Sequence, residues 1–170
     1  QKFVTENLSN WYVRLCRRRF WKGDYTEDKV SAYQTLFTCL IEICKISCPI
    51  SPFYFDKLYL DLVSSSDYNK NLSVHLSEFP VINSKFIDLS LEKRMKLAQN
   101  ISSMVLSLRK KEKIKVRQPL SKIIILSSDE EINSDIISIS HYILTEVNVK
   151  KIDFMSNSSD ILKKNIKPNF

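Results

Sequence analysis

Within the first 23 residues amide, charged and aromatic side chains interleave: Asn7, Asn10, Trp11, Tyr12 and Arg14 lead into Arg17-Arg18-Arg19-Phe20-Trp21-Lys22-Gly23. Guanidinium groups pair with phosphates, aromatic rings stack on bases, and amides both donate to and accept from a base edge. A partner carrying phosphates and flat bases fits all three, which raises the expectation of RNA. A second basic stretch lies between Arg109 and Lys122, where seven basic residues (Arg109, Lys110, Lys111, Lys113, Lys115, Arg117, Lys122) accompany one acid, Glu112. Inside it Lys113-Ile114-Lys115-Val116-Arg117-Gln118 alternates basic and apolar, so an extended backbone would put Lys113, Lys115 and Arg117 on one side. Single-stranded RNA along such a row would release about 0.7 counterions per neutralised phosphate. The alternative is a solvated edge strand whose lysines block aggregation.

The chain holds little else that could do chemistry. It has no Gly-rich phosphate loop, no GxSxG, no HExxH and no convincing carboxylate pair. His75 and His141 have no Cys or His at ligand spacing, and a catalytic reading would rest on His75 in a Ser-rich loop alone. The sequence therefore predicts no catalytic residue and no metal site. Cys16, Cys39, Cys44 and Cys48 form no CxxC pair and read as reduced thiols of a cytosolic protein. No run approaches the ~18 apolar residues of a membrane span, and no secretory leader is visible. The chain starts at Gln1 inside what reads as a helix, the expected look of a piece cut from something larger.

These residues need elements to position them, and the composition favours helices. One Gly and five Pro in 170 residues leave few tight turns for a β-rich fold. A first helix is expected from about Lys2 to Trp21, with Val4, Leu8, Trp11 and Leu15 on an apolar stripe and Asn7, Asn10, Arg14, Arg17 and Trp21 on a second. At roughly 100° per residue the two stripes lie about a third of a turn apart, which sets the polar one at the lip of a groove. Trp11 and Tyr12 then belong to the core, while Phe20 and Trp21 at the helix end are the rings free to stack. Arg18 and Arg19 continue the apolar stripe, where one reading lays their stems over the bundle end and pairs them with acids such as Asp24 or Asp28; the functional reading of the run gives phosphate or base contacts to Arg14 and Arg17.

Gly23 ends this helix, and a central helix is expected from Thr26 to Cys48, stopped by Pro49. Ser51 and Pro52 open a third helix, Phe53 to about Val63. Residues 64–84 read as a long loop, and a fourth helix as running from about Leu89 to Lys111. After Pro119 a short β-branched strand (Lys122 to Leu126), a helix (Glu130 to Val147) and an alternating strand (Val149 to Phe154) follow. The fold class predicted is mainly α, an antiparallel helix bundle over 1–112 followed by a small β-α-β unit over 113–155, with 156–170 a truncated tail.

In order and interval, several of these segments resemble the anticodon-binding region of isoleucyl-tRNA synthetases. They are Glu6-Asn7-Leu8-Ser9-Asn10-Trp11-Tyr12-Val13-Arg14 with the arginine run, Cys48-Pro49-Ile50-Ser51-Pro52-Phe53, Ser73-Val74-His75-Leu76, and Ile114-Lys115-Val116-Arg117-Gln118-Pro119-Leu120. The likeness covers about residues 1 to 153 and looks closest to the branch shared by eukaryotes and some bacteria. It implies a class I synthetase whose ATP-dependent attachment of isoleucine to tRNA occurs in another domain, since neither HIGH nor KMSKS occurs here. ATP and magnesium, with zinc as an option, would belong to the parent enzyme; tRNA and the catalytic domain of the same chain would be the partners of this part, itself a cytoplasmic monomer. The tRNA-binding set implied is Asn7, Asn10, Arg14, Arg17, Arg18, Trp21, Lys113, Lys115, Arg117 and Gln118. Cys16 departs from the Asn that usually opens the arginine run, as does the missing Gly before Arg109. A competing reading is a basic helical module for an acidic protein or a membrane surface, which predicts exposed apolar surface along Phe53 to Leu62.

Overall fold

The computed structural model describes residues 1–64 and 72–156. The described residues are mainly helical with one small parallel sheet, and the chain divides into two compact units, Gln1–Ile87 and Asp88–Phe170. The helix from Leu89 thus belongs with the α/β elements that follow it. The expected tail lies, from residue 157 on, outside the described residues, as do 65–71 of the expected loop.

In the first unit the entry segment Phe3–Val13 is π-helical, followed after a break at Cys16 by the short helix α1, Arg17–Trp21. The expected uninterrupted helix from Lys2 to Trp21 is therefore corrected. Its wider i→i+5 turns hold more residues than the 3.6 of an α-helix, so residues three and four apart no longer stack into straight stripes. The break turns Cys16 and Phe20 into a small core with Ala32, closed by Tyr12 and Leu36. Gly23 ends α1 with φ 76°, a left-handed conformation costly to residues with a Cβ.

Helix α2, Glu27–Ser47, starts where the Thr26 side chain accepts from Lys29 N, with Glu27 and Asp28 in the first turn where the helix dipole favours acids. Helix α3, Pro52–Ser64, follows the turn at Pro49. Between them Ile41, Cys44, Tyr59 and Val63 are buried, and Val74 from the 3₁₀ turn Val74–Leu76 completes the cluster. That turn is pinned to α3 by Asp56, whose Oδ1 accepts from Ser73 Oγ at 2.7 Å and Val74 N at 2.8 Å.

In the second unit helix α4, Leu89–Lys111, is capped by Asp88, and helix α5, Glu130–Val147, by Asp129. Ile136, Ile139, Ile143 and Val147 recur at helical spacing on one face of α5 and are all buried, as are Ala98 and Ile101 on α4, against which it packs. Each such Ile or Val contributes about 1.5–3 kcal/mol by burial. Strand β1, Ile123–Leu126, and strand β2, Ile152–Met155, run parallel in the register Ile123↔Ile152 to Leu126↔Met155, with α5 as the crossover. The second strand starts later than expected, because Val149 makes only an isolated bridge to Leu120. No helix among the described residues is long and apolar enough to cross a membrane.

Candidate nucleic-acid interface

On the first unit Asn7, Asn10, Arg14, Arg17, Arg18 and Trp21 are all exposed, Trp21 at 81%. Trp11 and Tyr12 are half-buried, in keeping with the core role expected of them. Tyr12 donates its hydroxyl to Ala32 O at 3.0 Å, and burial raises its pKa above the ordinary tyrosine value. Phe20 corrects the expectation of an exposed ring: it is 9% exposed, 5.1 Å from the Tyr33 ring and 6.4 Å from the Tyr12 ring. Only Trp21, of the two rings at the helix end, offers a face to a base.

The arginine run separates cleanly. Arg19 makes a fork to Asp28, Nε to Oδ2 and Nη2 to Oδ1, both at 2.7 Å, and also donates to the Asp28 carbonyl and the Cys16 sulfur. The Asp28 carboxylate raises the Arg19 pKa further. Arg18 does not share this packing role and stays exposed beside Arg17. Cys16, where a polar residue was expected, is buried and serves as acceptor for Arg19. Behind the run, Lys29 is 7% exposed, donates to Gly23 O at 3.1 Å and lies 4.7 Å over the Tyr25 ring.

On the second unit the expected extended row Lys113 to Gln118 is a compact turn instead. The cause is Arg109. It is only 3% exposed, and its guanidinium donates to Lys115 O at 3.1 Å, Gln118 O at 3.0 Å and Asn148 O at 3.0 Å. The Lys115 and Gln118 carbonyls would bond a neighbouring strand if the segment were extended. Backbone bonds tighten the turn further: Ile114 N donates to Arg109 O and Gln118 N to Lys115 O. Lys113, Lys115, Arg117 and Gln118 nonetheless all face solvent. The basic stretch loses two of its seven cations as free surface charge, Arg109 by burial and Lys122 by its 3.1 Å pair with Asp153. Asp153, between Lys151 and Lys122, has its pKa held below the ordinary carboxylate value by both.

No group of three or more His, Cys, Asp or Glu side chains placed to hold a metal occurs among the described residues. His75 is exposed on its 3₁₀ turn. Cys44 is fully buried, and burial with Cys48 nearby pushes its thiol pKa up to about 11, which leaves it unreactive at neutral pH. The apolar surface expected of α3 is confined to its start, where Phe53 is 90% and Tyr54 64% exposed, while Leu58, Leu60 and Leu62 pack on the core.

Residues 1–124 match the anticodon-binding domain of tRNA ligase. The chain belongs to that family. Curated relatives are isoleucine–tRNA ligases: 51% identical over 170 residues in Cytophaga hutchinsonii, 51% over 168 in Bacteroides thetaiotaomicron and 54% over 168 in Porphyromonas gingivalis. The matches cover 99–100% of this chain but only 14–15% of the relatives, so it spans about one seventh of their length. The likeness to isoleucyl-tRNA synthetases is borne out, and the relatives named here are bacterial rather than eukaryotic.

Within the anticodon-binding domain two of the resembling segments are structural. Ser73 and Val74 are the lid of the α3 core through Asp56, and Cys48 is part of that core. Arg109 and Asn148, which shape the basic turn, were not foreseen as site residues. Arg109 reads in sequence as one more cation of a solvated run, and its contact to Asn148 spans 39 positions. The only local signal for Asn148 is an Asn directly after an apolar helix, the residue type that tolerates a left-handed end.

Proposed function

We propose that this chain is the anticodon-binding domain of an isoleucine–tRNA ligase and that it holds the anticodon stem-loop of the tRNA. The observation that carries the reading is the family match over residues 1–124, within which an exposed indole and a set of exposed cations lie on folded elements. Arg14, Arg17, Arg18, Lys113, Lys115 and Arg117 contact phosphates. Asn7, Asn10 and Gln118 meet base edges or sugars, and Trp21 stacks on a base. The full-length protein attaches isoleucine to tRNA using ATP and magnesium in a catalytic domain elsewhere in the chain, and it works in the cytoplasm. Exposed Phe53 and Tyr54 are compatible with a contact to another protein surface, but a patch of this size at one helix start does not displace the RNA reading.

The test is chemical footprinting. Lysine acylation with and without tRNA should show Lys113 and Lys115 reactive in the free protein and protected in the complex, with Lys57, paired to Asp61 on α3, unchanged. Equal reactivity of Lys113 and Lys115 in both states would contradict the proposal.

A further inference from the structure

We infer that Arg109 and Asn148 are positioning residues of the RNA-facing turn: they preset the backbone from which Lys113, Lys115 and Arg117 project, so that phosphate binding orders little. The inference rests on the anticodon-binding reading of this surface. A buried cation is costly unless well partnered, and it is most often matched to a carboxylate. Among the described residues Arg109 instead donates to three backbone carbonyls, two of them, Lys115 O and Gln118 O, inside the turn itself. Its planar fork reaches separate acceptors at fixed angles, which a lysine ammonium does not reproduce. With no carboxylate among those acceptors, its charge adds to the positive potential of the turn.

Asn148 closes the same structure from the far side. It ends α5 with φ 52°, its carbonyl accepts from Arg109 Nη2 at 3.0 Å and from Leu120 N at 3.2 Å, and its Nδ2 donates to Val116 O at 2.9 Å. Every backbone carbonyl named here belongs to the turn or to its anchor. Lys113 has φ 55°, a left-handed conformation that ordinarily favours Gly and that a lysine keeps only where its surroundings over-determine it. The arrangement is that of a preorganised binding loop, in which affinity is gained by removing the ordering that binding would otherwise impose.

The experiment measures tRNA affinity of the full-length protein at moderate salt, with a thermal melt on each variant. Lys115→Ala reports on the surface, and Asn148→Gly and Arg109→Lys on the positioning. Asn148→Gly suits φ 52° and removes only the bond to Val116 O, so the relief of the left-handed backbone offsets part of the loss and the melting temperature falls little, while tRNA binding weakens by up to about tenfold. Arg109→Lys keeps the charge and loses the fork, and it too weakens binding. In either background Lys115→Ala costs less than in the unchanged protein, because its side chain is no longer held in place; a merely structural role would leave that cost unaltered. If Lys115→Ala itself has no effect, the anticodon-binding reading of the turn fails. If it weakens binding while Asn148→Gly and Arg109→Lys bind as the unchanged protein does and leave its cost intact, that reading stands and the positioning role is overturned.

Discussion

Replacing Lys113, Lys115 and Arg117 together by Ala should change the salt dependence of tRNA binding by an amount that the structure sets. The basic stretch has seven cations in sequence, and if all were free to meet phosphates the slope of log affinity against log salt would owe about 5 to them, at about 0.7 per phosphate. Arg109 is buried on three carbonyls and Lys122 is paired with Asp153, so neither counts as a free phosphate ligand. Of the remainder, the three on the turn account for a slope of about 2. The triple variant should therefore lose about 2 from the slope, and its deficit in affinity should shrink roughly twentyfold between 50 and 200 mM salt. Filter binding or fluorescence anisotropy at four or five salt concentrations measures it. Lys122→Ala is the internal comparison and should shift the slope by well under 0.7. A triple variant whose slope is unchanged, or a Lys122→Ala effect as large as that of Lys115→Ala, would refute the division of this stretch into free and engaged charge.

Three further outcomes follow from the first unit. Trp21→Ala should leave the melting temperature nearly unchanged, since the ring is 81% exposed, yet cost about 1–3 kcal/mol of tRNA binding; unaltered affinity would remove the stacking role. Gly23→Ala should destabilise by about 1–2 kcal/mol in thermal denaturation, from the left-handed φ of 76° alone, because an added Cβ meets nothing within 4 Å; an unshifted melt would contradict this. The Asp56 carboxyl is held below its ordinary pKa by the Ser73 hydroxyl and the Val74 N–H, so its contribution is present above the ordinary carboxylate range and is lost as pH falls through the lowered value. The gap in melting temperature between the unchanged chain and Asp56→Asn should accordingly be widest near neutral pH and close below about pH 4, whereas a constant gap would show that the charge is not responsible.

Helices whose apolar residues recur at helical spacing were legible in the sequence. Ile132, Ile136, Ile139 and Ile143 give away α5, and the Met95, Ala98, Ile101, Val105 and Leu108 series gives away α4, because amphipathic period is local. The first 21 residues were less so: an α-helical wheel applied to a π-helical segment keeps the right exposed set but not its alignment, and the burial of Phe20 depends on Ala32 and Tyr33 from the next helix. The alternation of Lys113 to Gln118 points to an extended segment that the structure does not have, for a similar reason. Alternation argues for a strand only while the backbone groups are free to pair, and here Arg109 and Asn148 capture three of the segment's carbonyls from outside it. The exposed cations were visible by type; which of them are engaged was a tertiary fact, as the Arg19–Asp28 fork and the Lys122–Asp153 pair show.

The central claim, that this domain binds the anticodon stem-loop of an isoleucine tRNA, is tested most directly by titrating the full-length protein with tRNA bearing the isoleucine anticodon and with the same tRNA carrying a swapped anticodon. At moderate salt, where phosphate contacts alone are weakened, the cognate tRNA should bind more tightly. Equal affinity for the two would contradict anticodon recognition.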